Sequence, residues 1–261
     1  MLQLGLGTVT DLRDIEVKLS QSRTEHLSLI ATRSIAMKQY ASMIGSQPVP
    51  DRFNLAVSLK KFNLQSLDQY TDLMLGRSPL INAAHLSLRL SESQADKIKA
   101  SFLPVVNAQF AHTSSAGRTN SATYLGIGMS VPLKAGTVYG MQAALATVEK
   151  SREYVREVDS KSRLDIDKLR ATIDFSNQSL VVQLEAIEAA NLSVEANQKS
   201  YVGGVRNAID VLNAIQIVYQ LKSDYIKLAV KNANDILSLL LLIGEPSDTV
   251  VQKVNDYLFK G

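Results

Sequence analysis

From Val138 to Ser200 the chain runs for about sixty residues without a proline and, after Gly140, without a glycine. No other feature constrains the fold as much. Proline and glycine are the residues that interrupt helices, one by its missing N–H and the other by its backbone freedom. At about 1.5 Å per residue the stretch predicts roughly 90 Å of helix. A chain of 261 residues cannot bury such a rod in a globule, so the rod belongs to a coiled coil or a tube. Its apolar stripe (Leu164, Ile166, Leu169, Ile173, Leu180, Leu184, Ile187) is thin, and its small residues permit close packing of helices. Gly203-Gly204 breaks the rod, and a second helix returns from about Asn207 to Leu242. An antiparallel hairpin of unequal arms is the simplest account.

Composition agrees with extended helices. The hydrophobic class makes up 46% and charged residues 20%, a folding composition, but only 6% is aromatic and there is no Trp. The formal net charge of +3, with bases and acids interleaved, gives no footprint for nucleic acid. The absence of cysteine suits an oxidising compartment in which no disulfide is wanted. The longest apolar block, Ile236 to Gly244, is too short to span a bilayer as a helix. Asp11, Asp14, Glu16 and Glu25 keep the first residues from reading as a signal peptide.

The chain repeats itself. Asp11 and Asp210 are 199 residues apart, as are Gly5 and Gly204, Gln21 and Gln220, Leu29 and Leu228, and Gly45 and Gly244. Leu12, Leu19 and Leu27 fall on Val211, Val218 and Ile226. A gapless offset over some forty residues reads as an internal duplication. The second copy has a long upstream portion and the first has none, so duplication leads one to expect roughly 120 residues before Met1 and an amino terminus inside a structural unit.

The segment 46–79 carries three prolines and mixed polarity, the signature of a linker with one or two short helices. A helix is expected over 80–103, with Leu80, Ala84, Leu88, Ser91, Ala95 and Ile98 on one stripe, ended by Pro104. Two strand-like runs follow, Val105 to Thr113 and Tyr124 to Val131, around a polar loop. In the second, Leu125, Ile127, Met129 and Val131 alternate with Tyr124, Gly126, Gly128 and Ser130. Transmembrane barrel strands have this length and alternation. A soluble hairpin packed on a core would look similar.

These elements together resemble the TolC family of outer-membrane channel proteins. The carriers are "SYVGGVRNAIDVLNA" with its closing "LIG", the earlier "GLGTVTD…MIG", "ASFLPVVNA" before the first strand, and "YLGIGMSVPLKAG" entering the long helix. The likeness covers roughly Leu4 to Pro246. It implies a mainly α fold in which long antiparallel coiled-coil helices form a periplasmic tunnel and a two-stranded β-hairpin contributes to a transmembrane barrel. Residues 1–45 would be the returning helix of a truncated first repeat and 46–79 an equatorial linker. Residues 80–244 would form the second repeat: helix 80–103, β-hairpin 105–131, long helix 137–201 and returning helix 207–243. A carboxy-terminal tail, 245–261, would follow.

The resemblance further implies a homotrimer in the outer membrane of a Gram-negative bacterium, in contact with outer-membrane lipid. A periplasmic adaptor and an inner-membrane transporter would open it. The family's closing network matches Thr10 and Asp11 from the first hairpin and Tyr201 and Arg206 from the second. A pair of pore-mouth acids matches Asp210 and, with a departure, Asn213, which halves the carboxylates available to attract cations. Ala135 is a second departure, standing where many relatives have glycine. The function implied is a passive duct in a tripartite efflux pump or a type I secretion system.

Two other readings explain some of the same residues. A soluble or surface-attached coiled-coil interaction protein accounts for the rods, and a periplasmic adaptor also has a long helical hairpin. The duplicated glycine-to-aspartate motif counts against an adaptor. Asp11 and Asp210 taken alone would be first-turn acids favoured by the helix dipole. His26, His85 and His112 lack ligand spacing, so no metal is expected. The glycine motifs lack a nucleotide-binding pattern, and no nucleophile and base are paired, so neither cofactor nor catalytic residue is expected.

Overall fold

The computed structural model describes residues 9–49, 61–114, 121–131 and 135–259. The elements are α1 (Val9–Ile44), α2 (Leu67–Arg77), α3 (Pro79–Ala100), β1 (Val105–Ser114), β2 (Ser121–Ser130), α4 (Ala135–Val202), α5 (Ala208–Leu242) and α6 (Ser247–Phe259). This is the expected mainly helical fold with one antiparallel hairpin. The uninterrupted rod is α4, a single helix of 68 residues that already includes Gly136 and Gly140. The stretch after Gly244 folds as α6, which buries Val250 and Tyr257, two turns apart.

The described chain forms two compact units. One contains α2, α3, the β-hairpin, α4 as far as Asp167, and residues 241–245. Here α2 begins with a capping box: Ser66 Oγ accepts from the Gln69 N–H at 3.3 Å, and Gln69 Oε1 accepts from the Ser66 N–H at 3.2 Å. Ser78 ends α2 and caps α3, whose first residue is Pro79, a position that needs no N–H. α3 buries Ile81, Ala84, Ser91 and Ala95, while Leu80 is 50% exposed, so its stripe starts one residue later than expected. On α4, Ile166 is fully buried and Leu164 is 51% exposed. Two residues turn a helix by about 200°, so both cannot face the core. The solvent face of this part of α4 is laced with its own ion pairs, Arg152–Glu149, Arg156–Glu153 and Arg163–Asp159. Each is exposed and worth a few tenths of a kcal/mol, about what a helix surface gains from such spacing.

The other unit contains α1, residues 61–65, the rest of α4, α5 to Leu240, and α6. Leu180 of α4 and Tyr225 and Ala229 of α5 form its buried centre, flanked by Leu184, Ile187 and Leu228. Gln183 Nε2 donates to the Leu221 carbonyl at 3.2 Å and fixes the register of the pair. A buried polar node ties on the remaining pieces. Asn232 Nδ2 donates to Asn177 Oδ1 at 3.1 Å and to Tyr257 Oη at 2.7 Å, and Asn177 Nδ2 donates to the Phe62 carbonyl at 3.2 Å. The Phe62 and Tyr257 rings meet edge to face, 6.3 Å between centroids. One node thus holds α4, α5, α6 and the incoming segment.

α1 starts at Val9 and α5 at Ala208, again 199 residues apart. Gly45 and Gly244, which end the two helices, both adopt the left-handed conformation, with φ of 76° and 81°. Their environments differ. Val218 of α5 is 5% exposed, whereas its counterpart Leu19 on α1 is 48% exposed. None of the described α1 side chains is buried.

Candidate functional site

The turn between α4 and α5 gathers four of the residues singled out from sequence. α4 closes with a Schellman motif: the Val205 N–H donates to the Ser200 carbonyl at 2.9 Å and the Gly204 N–H to the Tyr201 carbonyl at 3.0 Å. Gly204 takes φ of 75°, the left-handed conformation this motif demands. Gly203 needs no such freedom, because a Cβ there would meet only carbonyl oxygens at 3.6 Å. Asn207 then caps α5, its Oδ1 accepting from the Asp210 N–H at 2.9 Å. Asp210 is therefore the third residue of the first turn, where the helix dipole favours an acid.

Around this turn Tyr201 and Asp210 are half-buried, and Arg206 and Asn213 are exposed. Among the described residues the Arg206 guanidinium pairs with no carboxylate. Thr10 and Asp11 belong to the first turn of α1, but their side chains lie outside the described residues. One contact brings the two returning helices together: Lys18 Nζ of α1 donates to Asn213 Oδ1 of α5. Asn213, expected at a pore mouth, therefore carries a lysine that sequence reasoning did not select.

The β-hairpin is a second candidate surface, described within its own unit. β1 and β2 pair from Val105↔Ser130 to Ser114↔Ser121. Residues directly opposite share a face. Val106, Ala108 and Phe110 thus join Leu125, Ile127 and Met129 on one side, and Asn107, Gln109 and Thr113 join Tyr124, Gly126, Gly128 and Ser130 on the other. The apolar side is uncovered, with Phe110 70% and Ile127 81% exposed. On the polar side Tyr124 is also exposed, and its ring lies over Gly126, where a Cβ would come 2.1 Å from the Tyr124 hydroxyl. His112 and Thr123 pair across the strands at 3.0 Å, where the apolar face gives way to the loop. No described helix is long and apolar enough to cross a membrane.

The sequence profile of the outer membrane efflux protein family matches residues 71–245, which include the hairpin, α4, α5 and the turn between them. The chain belongs to the outer membrane efflux protein family. Among curated relatives of this efflux-protein chain, the alkaline protease secretion protein AprF of Pseudomonas aeruginosa is 23% identical over 244 residues, covering 85% of this chain and 49% of AprF. The proteases secretion protein PrtF of Dickeya chrysanthemi is 23% identical over 238 residues, covering 86% and 51%. The chain spans about half the length of these curated relatives. Among solved structures, the outer membrane protein VceC of Vibrio cholerae superposes with a TM-score of 0.75 at 19% identity, covering 94% of this chain and 61% of VceC. The open state of the MtrE outer membrane channel of Neisseria gonorrhoeae gives 0.70 at 14% identity, covering 92% and 57%. The fold is the TolC-like fold of these channels.

Sequence reasoning missed Asn207, Lys18 and the Asn232 node. Asn207 had a legible signal, an Asn just before an apolar-periodic run. Lys18 had none, since nothing along a polar helix marks which lysine reaches a neighbour. Among the described residues no cluster of three His, Cys, Asp or Glu could hold a metal.

Proposed function

We propose that this efflux-family chain forms part of a passive outer-membrane export duct. Its hairpin enters a transmembrane barrel, and its long helices line a periplasmic tunnel. The observation that carries the reading is the hairpin: ten-residue strands with one apolar and one polar or small face, and both faces uncovered. That is the pattern of a strand pair between lipid and a wet lumen. α5 supports the tunnel. About a third of a turn round from its buried stripe it carries a second one, Leu212, Tyr219, Ile226 and Val230, all at least 37% exposed. A helix with two apolar flanks suits a neighbour on each side, as in a closed ring of helices from a homotrimer.

On this reading α1 and α5 are the returning helices of two repeats, which meet where Thr10, Asp11, Tyr201 and Arg206 latch the duct. A periplasmic adaptor and an inner-membrane transporter would release the latch and supply the energy. The chain itself would do no chemistry. AprF and PrtF are named for protease secretion, so an exported polypeptide is the favoured cargo over a small toxic molecule.

The test is cell fractionation followed by reconstitution in planar bilayers. A full-length channel that carries this chain should sediment with the outer membrane, require detergent and give stable trimeric pores. The isolated chain, with a single strand pair among its described residues, should not form them. A monodisperse, detergent-free species would favour the coiled-coil interaction protein instead. In the pores Arg206→Ser should raise the closed-state conductance, and an unchanged value would remove Arg206 from the latch. Asp210→Asn should weaken block by multivalent cations; unchanged block would place Asp210 away from the pore.

A further inference from the structure

We propose that Lys18 is a specificity-determining residue of the duct mouth, setting its preference between cations and anions by offsetting Asp210. The proposal rests on the duct reading above. It starts from an inequality between the two repeats. At the 199-residue offset Asp11 matches Asp210, and Asp14 matches Asn213. The first copy therefore carries two acids one turn apart, while the second keeps one and replaces the other with an amide.

The structure shows what meets that amide. Lys18 Nζ donates to Asn213 Oδ1 from the neighbouring helix. An amide oxygen holds an ammonium without cancelling its charge, whereas an aspartate there would have neutralised it. Among the described residues no carboxylate forms an ion pair with Lys18, while the nearby Arg13 is matched by Glu16 at 2.7 Å. The Lys18 charge is thus held in place without an ion pair among the described residues. Asn213 follows Asp210 by one turn, about 4.5 Å along the axis of α5. The anchored ammonium consequently sits in the field of the Asp210 carboxylate and opposes it. In a three-fold ring each Asp210 brings its own Lys18, so three ammonium groups oppose the three Asp210 carboxylates. That opposition weakens the pull of the Asp210 ring on cations, which suits a duct for unfolded chains of mixed charge.

The measurement is the reversal potential in a KCl gradient, together with block by hexaamminecobalt(III), on pores formed by the full-length channel that carries this chain, purified from outer membranes. Lys18→Gln should shift selectivity toward cations and tighten the trivalent block about tenfold, as removing one like charge per subunit beside the path requires. Lys18→Arg should behave as the unaltered protein. Asp210→Asn should move both readouts the opposite way. If Asp210→Asn changes them and Lys18→Gln does not, the duct reading stands and the role of Lys18 is overturned. If neither changes them, the turn does not face the pore, and the proposal falls with that placement. Absence of any pore from that full-length channel would overturn the duct reading itself.

Discussion

Gly244 sits directly on the backbone of Arg77: a Cβ built on it would stand 2.4 Å from the Arg77 carbonyl oxygen and 2.6 Å from the carbonyl carbon. Its φ of 81° is itself one that L side chains rarely adopt. Gly45, its counterpart at the end of α1, has φ of 76° but open space around it. Gly244→Ala should therefore cost more than Gly45→Ala. The second change carries only the left-handed penalty of about 1–2 kcal/mol, and the first adds a clash with backbone that cannot swing away. Urea unfolding followed by circular dichroism gives both values, and equal losses would show that the α2 end yields.

The two glycines after α4 should also differ. Gly204 takes φ of 75° in the Schellman motif, and Gly203 does not need a positive φ. Gly204→Ala should cost about 1 kcal/mol, while Gly203→Ala should be neutral or stabilise by up to about 1 kcal/mol through a stiffer unfolded chain. The same unfolding measurement separates them.

Asn232 donates to two buried acceptors, so Asn232→Ala should strand both Asn177 Oδ1 and Tyr257 Oη and cost about 2–4 kcal/mol. Tyr257→Phe removes a single bond and should cost about 1 kcal/mol. Protease protection of α6 provides a local readout, and it should fall in both variants, further in the first.

Burial holds the Tyr257 hydroxyl above its ordinary range, against a smaller opposing effect of the Asn232 hydrogen bond. A folded-state value raised in this way favours the neutral phenol. The stability it carries is complete below about pH 10 and is lost as pH rises through the raised value. Tyrosinate absorbance should show a late-titrating component that is lost in Tyr257→Phe, and α6 should loosen over the same range.

In the hairpin, Gly126→Ala should lift the Tyr124 ring from the strand, while Gly128→Ala has open space and should leave it in place. Iodide quenching of tyrosine emission in detergent, each variant compared with its Tyr124→Phe counterpart to isolate Tyr124 among the nine tyrosines, would report the movement. An unmoved ring in Gly126→Ala would mean that the strand twists to accommodate the methyl group.

The large elements were legible because they rest on periodicity and punctuation. The absence of proline between Pro132 and Pro246 gave α4 and α5, and the alternation from Leu125 to Met129 gave β2 with its correct faces. Stripes were legible to within one residue. Leu80 stood in for Ile81, and Leu164 was grouped with Ile166 although the helix turns them apart, because hydrophobicity alone does not fix the angle of the core. Side chains that matter through a distant partner were not legible. Lys18 and Asn213 are 195 residues apart and Asn177 and Asn232 are 55 apart, and only folding brings each pair together. The gate residues Thr10 and Asp11 remain a proposal drawn from resemblance, whereas the capped turn of Gly204 and Asn207 is a local property that the neighbouring residues dictate.

α5 runs between two left-handed glycines, Gly204 and Gly244, and α1 ends on a third. Their consequence is a tolerance for drift that is unequal between substitution and insertion. A changed side chain on the solvent flank of α5 leaves every other contact in place. One inserted residue turns all that follows by about 100° and carries Tyr225, Ala229 and Asn232 off the face that α4 covers. Spelling is therefore free to diverge while spacing is not, which is how two helices with few letters in common still start 199 residues apart and end on glycines with the same offset.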